Sequence, residues 1–141
     1  MIPEIILDLK AKNKVDAIDE LAQLLFDTAK INDKDSYISD LLNREKLLST
    51  YCGSNIAIPH SVSEVVNEAS FAFGRSQGLI WDEDDDMVNF VIMLAIPKLK
   101  EGEDTVHIEM MSAIAELALD DDIRKLWGDA TTKQDIINTF N

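Results

Sequence analysis

From Met87 to Ile96 the chain reads Met-Val-Asn-Phe-Val-Ile-Met-Leu-Ala-Ile, apolar throughout except at Asn89, and Pro97 closes the run. The run is too short to cross a bilayer as a helix. It lacks the polar–apolar alternation of a strand with one wet face, and reads as a central strand buried on both faces. Such a strand needs cover above and below. Proline fixes φ and has no N–H to continue a ladder, so the strand ends at Pro97.

The flanks are consistent with that cover. Ile5-Ile6-Leu7 with Leu9 predicts a short first strand. Asn13, with Asp16 at the capping-box position, opens a helix with Ile18, Leu21, Ala22, Leu25, Phe26 and Ala29 on one face. Asp33 caps a second helix with apolar Ile38, Leu41 and Leu42. Ile56-Ala57-Ile58 is a short apolar segment stopped by Pro59. Ser61 to Glu64 predicts one capped helical turn. The Ala69–Arg75 segment alternates, with Phe71 and Phe73 on one side, as a strand does. Gly78 marks a turn before a small strand, Leu79-Ile80-Trp81. A helix is expected from about Asp104 to Leu119, with Val106, Met110, Ala113, Ile114 and Leu117 on one face. A short helix spans Asp120 to Trp127, and Thr132 with Asp135 caps a last one carrying Ile136, Ile137 and Phe140. With no internal repeat and no linker, residues 1–141 are expected to form one α/β domain: a mixed β-sheet of about five strands flanked by helices.

Charge narrows the partners. Thirteen basic against 27 acidic residues give a formal net charge of −14. Nucleic-acid binding is driven by cationic neutralisation of phosphates, so it is disfavoured. A basic protein partner suits the field, which speeds encounter. The single cysteine, Cys52, permits no internal disulfide, and the first residues show no signal-peptide pattern. Both features point to a cytoplasmic protein.

The densest chemistry lies at Ser49–Ser61, where Gly53-Ser54-Asn55 runs into Ile56-Ala57-Ile58-Pro59-His60. Pro59 places His60 just past a strand end, held by a stiff element yet open to a partner. The other histidine, His107, falls in the first turn of the long helix, where N–H groups lack intrahelical acceptors and the dipole end is positive. Such an end suits a phosphate. Arg44 adds a planar fork matched to phosphate oxygens. Together they point to an imidazole nucleophile with cationic and N–H support. Cys52, His60 and His107 are possible zinc donors, but their spacing matches no zinc framework. Cys52 as a nucleophile paired with a histidine is a weaker reading, since a lone cysteine usually serves as a small hydrophobe. The acidic turn Asp82–Asp86 has Met87 where a calcium loop needs glycine and Met93 where it needs glutamate, so it reads as a solvated loop. Neither nucleotide-binding glycine motif nor a GxSxG or HExxH string occurs.

Three strings in order make the chain recognisable: Arg44-Glu45-Lys46-Leu47-Leu48-Ser49-Thr50, then Gly53-x-x-Ile56-Ala57-Ile58-Pro59-His60, then His107 opening an amphipathic helix. The chain resembles, over essentially its whole length, the EIIA domains of the bacterial phosphoenolpyruvate-dependent sugar phosphotransferase system, fructose/mannitol type. The resemblance implies a phosphotransferase component. His60 would be the phosphorylated residue, taking a phosphoryl group from the phosphocarrier HPr and passing it to a cysteine of an EIIB partner during sugar uptake. The membrane EIIC part would be involved only indirectly. Arg44 and His107 match the family's supporting residues, and Thr50 is a polar neighbour. Neither cofactor nor metal is implied. The alternative is a regulatory EIIA-like module, of nitrogen type or within a transcription regulator, whose phosphorylation state a partner senses. The chain departs from the family's usual pattern at Tyr51 and Asn55, where glycine is common, and has Ser61 after the histidine.

Overall fold

A computed structural model of the chain describes residues 2–98 and 105–141, with the side chains of 105–107 outside that description. Asp104, the expected helix start, lies outside it too. The elements run β1 (Glu4–Ile6), α1 (Lys14–Asp27), α2 (Lys34–Leu47), β2 (Tyr51–Gly53), β3 (Ile56–Ala57), β4 (His60–Ser63), β5 (Ser70–Leu79), β6 (Val88–Pro97), α3 (Thr105–Ala118), α4 (Asp121–Asp129) and α5 (Lys133–Thr139). One mixed sheet of six strands has the order β1-β5-β6-β3-β2, with β4 also on β6. β3 and β4 pair with β6 in parallel, whereas β5 pairs with it antiparallel.

β6 is the central strand, and its alternation sorts the core into two layers. Val91, Met93 and Ala95 pack with α1 and α2. Phe90, Ile92, Leu94 and Ile96 pack with α3, α4 and α5. The second layer is aromatic. Trp127 is fully buried, with Phe73 at 5.2 Å and Phe90 at 5.5 Å, both edge-on. Each such pair contributes about 0.5–1.5 kcal/mol beyond the area it buries.

Three helix starts follow the sequence. Asn13 and Asp33 accept backbone N–H groups from their helices, and Thr132 with Asp135 forms a complete capping box. Elsewhere tertiary pairing overrides local signals. Ser61–Glu64 is not a helical turn: residues 60–63 form β4, because the edge of β6 offers a ladder from Leu94 to Pro97 that local caps cannot match. Leu79–Trp81 is not a separate strand. Leu79 ends β5 after a register shift, and Ile80 only bridges to Asn13. Phe26 and Ala113 face solvent, while Tyr37 and Ala118 are buried in their place. The strand count exceeds the expected five because β2 and β4 form short pairings that residue pattern alone does not announce.

Candidate functional site

β3 and β4 are two halves of one interrupted strand, both parallel to β6, with Ile58-Pro59 as the gap. The gap is held at each end. Leu94 N–H donates to the Pro59 carbonyl at 2.9 Å, and Ile58 N–H donates to the Thr50 carbonyl at 3.0 Å. His60 is the first residue after it and pairs in register with Leu94. Partners in a parallel ladder share a face, so His60 stands on the same side of the sheet as Leu94, the side carrying α3.

The turn before β3 is built by backbone handedness. Gly53, Ser54 and Asn55 have φ of 85°, 53° and 62° in succession. Asparagine tolerates that region better than most residues, so Asn55 fills a place where glycine would serve. Its side-chain amide donates to the Met87 carbonyl at 2.8 Å, which fastens the turn to the start of β6.

The imidazole is oriented by its own chain. His60 Nδ1 lies 2.9 Å from the Ile58 carbonyl oxygen. A carbonyl can only accept, so Nδ1 carries the proton and the Nε2 lone pair is left for chemistry. The half-buried ring lines a cleft of about 270 Å³, together with Arg44, Thr50, Leu94 and, from α3, Met111 and Ala115. Arg44, in the last turn of α2, donates through Nη1 to the Leu48 carbonyl at 2.6 Å. Among the described residues that is its one hydrogen bond, so most of the guanidinium donors stay available to the cleft.

Thr50 reaches the cleft in a different capacity. Its hydroxyl and its N–H both donate to the buried carboxylate of Glu45, so the hydroxyl proton is committed away from His60. Cys52 is an exposed residue on the same cleft, but Sγ turns inward to the Thr50 carbonyl, 3.2 Å away, and partial desolvation of the thiol pushes its pKa up. A thiol with a raised pKa is a poor nucleophile at neutral pH. His107 lies in the first turn of α3, one helical turn before Met111, and its side chain is outside the described residues. Among the described residues no three histidine, cysteine or acidic side chains converge on a metal-sized site. Sequence reasoning missed Glu45 as a buried group and Tyr37, whose hydroxyl donates to the Leu94 carbonyl at 2.8 Å beside His60. The helical spacing of Tyr37 and Leu41 could have shown the first; nothing local marks the second's acceptor.

Comparison with known proteins adds the context of this geometry. The family model described as "Phosphoenolpyruvate-dependent sugar phosphotransferase system, EIIA 2" matches residues 3–141. The fructose-specific EIIABC component of the phosphotransferase system of Bacillus subtilis is 34% identical over 137 residues, 96% of this chain and 21% of that protein. The chain thus spans about a fifth of the length of that relative. Among solved structures, the nitrogen regulatory protein IIA-Ntr of Neisseria meningitidis superposes with a TM-score of 0.85 at 25% identity, covering 98% of this chain and 93% of that one. The mannitol enzyme IIA of Escherichia coli, solved in complex with phosphorylated enzyme IIB, shares the fold with a TM-score of 0.80 at 24% identity, over 97% and 93% of the two chains. No helix among the described residues is long and apolar enough to cross a membrane.

Proposed function

The chain belongs to the EIIA 2 family of the phosphoenolpyruvate-dependent sugar phosphotransferase system, and we propose that it carries a phosphoryl group on Nε2 of His60. The observation that carries this reading is the Nδ1–H bond to the Ile58 carbonyl, which presents the Nε2 lone pair at a cleft beside a guanidinium. The donor is the phosphohistidine of HPr. As His60 Nε2 bonds to phosphorus, the donor's N–P bond breaks and its imidazole recovers the electron pair. Charge spreads over three phosphoryl oxygens in such a transfer, so catalysis is positioning plus electrostatic support. Arg44 supplies that support from the cleft wall, and His107 supplies it from the first turn of α3. Thr50 acts through its backbone, holding Ile58. In the second transfer an EIIB cysteine attacks phosphorus, the S–P bond forms and His60 regains its lone pair. The complex of the mannitol enzyme IIA with phosphorylated enzyme IIB supports that acceptor.

A regulatory reading has its own support in the similarity to IIA-Ntr. There the same phosphohistidine would be sensed by a partner instead of being passed to sugar uptake. Both readings meet one test. Incubation with phosphoenolpyruvate, enzyme I and HPr should add one acid-labile phosphoryl group, and His60→Ala should add none. An equal gain in His60→Ala, or no gain in the wild type, defeats the assignment. Offering the phosphorylated protein a purified EIIB separates the roles: rapid loss of the label to EIIB supports transport, and retention supports regulation.

A further inference from the structure

Lys14 is locally misplaced. It is the first residue of α1, where the helix dipole favours anions, yet it carries a cation. Its reason lies in tertiary structure. Nζ sits 2.6 Å from Asp82 and 3.2 Å from Glu45, and 5.4 Å from the centre of the Trp81 ring. Burial works against its charge, but hydrogen bonds and attraction from the two carboxylates outweigh it and raise the ammonium pKa.

Glu45 is the consequential partner. Its carboxylate is buried, and its other contacts are Thr50 N–H, at 3.2 Å, and the Thr50 hydroxyl. A buried carboxylate without a cation is unfavourable, and the side chain relieves this by moving away toward water. Lys14 therefore holds the Glu45 carboxylate in place. From Glu45 the hydrogen bonds continue without a gap. Thr50 carbonyl accepts Ile58 N–H at 3.0 Å, and Ile58 carbonyl lies 2.9 Å from His60 Nδ1. The second branch, Lys14–Asp82–Ser49, goes on to the Tyr51 N–H, which donates to Ser49 Oγ at 3.2 Å, and makes no hydrogen bond to the imidazole or to the Ile58 carbonyl among the described residues.

We propose that Lys14 is a positioning residue for His60, acting through Glu45, Thr50 and the Ile58 carbonyl to hold the imidazole in its Nδ1–H tautomer. The proposal rests on His60 as phosphoryl acceptor only for its kinetic consequence; the tautomer can be read without any transfer. With the salt link cut, Thr50 loosens, the Ile58 carbonyl loses its fixed direction, and the Nε2 lone pair is presented less often and less well aligned.

Long-range ¹H–¹⁵N spectra of the unphosphorylated full chain test this, comparing wild type, Lys14→Met, Lys14→Arg, Glu45→Gln and Asp82→Asn. The Nδ1–H tautomer should dominate in wild type, fall in Lys14→Met and Glu45→Gln, and persist in Lys14→Arg and Asp82→Asn. With phospho-HPr at saturation, Lys14→Met should transfer about tenfold more slowly with an unchanged donor KM, since a misplacement of about 1 Å is worth up to about a hundredfold. Because one link is broken in each, the Lys14→Met/Glu45→Gln double variant should be no slower than either single one. If Lys14→Met does not fold, Glu45→Gln carries the test. A folded Lys14→Met or Glu45→Gln with the wild-type tautomer overturns the proposal. A tautomer shift without phosphoryl uptake in the wild type would instead overturn the functional reading and leave the positioning intact.

Discussion

On one side of β6 the neighbouring strand is broken at Ile58-Pro59; on the other, β5 keeps register from Ser70↔Ala95 to Arg75↔Phe90 and resumes it at Leu79↔Val88. Each interruption has an arginine beside it, and the two arginines differ in what they have left to give. Arg75 donates to the carbonyls of Trp127 at 3.0 Å and Ala130 at 2.6 Å, and to Asp8 at 3.1 Å. Its Nη1 is committed to tying β5 to the end of α4, and its Nη2 to Asp8. Arg44 makes a single hydrogen bond among the described residues, to Leu48. The backbone of the second break is likewise closed on itself: Gly78 N–H donates to Ser76 Oγ at 2.9 Å, and Asn89 donates to the Ser76 carbonyl at 3.2 Å. A break in a ladder makes a site only when its polar groups and its cation are left with something unspent. The Ile58-Pro59 break meets that condition, with the His60 imidazole and the Arg44 guanidinium on one cleft.

The comparison can be broken at several points. Arg44→Ala should slow phosphoryl uptake from phospho-HPr by about a hundredfold, the usual effect of losing one donor to a transferring group. Its far-UV spectrum and melting temperature should match wild type; a rate within twofold of wild type would reduce Arg44 to a helix cap. Gly78→Ala should do the reverse. Its φ is 136°, whereas an added Cβ would meet Met87 at an ordinary 3.4 Å, so strain and not crowding sets the cost. Urea unfolding should show a loss of about 1–2 kcal/mol, with phosphoryl uptake per folded molecule unchanged. The smallest effect concerns Cys52. Cys52 is exposed, yet partial desolvation of its sulfur raises the thiol pKa, so at neutral pH it holds less thiolate than a free cysteine does, and the fraction grows as pH rises. Alkylation by iodoacetamide, followed by mass, should be slower than for free cysteine at pH 7 and should accelerate with pH beyond the ordinary thiol range. Faster alkylation at neutral pH would put a second nucleophile in the cleft.

Part of the site is legible in residue order alone. Pro59 marks the break that follows β3, but His60, the proposed nucleophile, does not lie past the last strand residue as expected: it opens β4, paired with Leu94. Arg44 follows from helix periodicity and its place near the end of α2. The rest depends on partners far along the chain. Nothing in the sequence marks Glu45, beside Arg44, as a buried carboxylate, and it is buried with Thr50 and Lys14 satisfying it. Asp82 reads as one member of a solvated acidic loop, yet it accepts from Lys14 and Ser49. Thr50 reads as a polar neighbour of a phosphoryl group, whereas its hydroxyl proton goes to Glu45. Ser61 to Ser63 carry helix-start residues and form a strand, because the open edge of β6 satisfies more backbone groups than one capped turn does.

By itself the sequence determined the α/β class, the central strand and the helix starts at Asn13, Asp33 and Thr132, and it singled out the imidazole proposed to react. Each is written in contiguous residues, through apolar period, cap chemistry or the rigidity of proline. Tertiary structure alone decided which nitrogen of that imidazole is free and which side of the sheet it faces. It also decided which charges stand near the imidazole uncommitted. Those depend on register along β6 and on carboxylates meeting a lysine from another element, and register is set by how two faces pack, not by any residue's own preference.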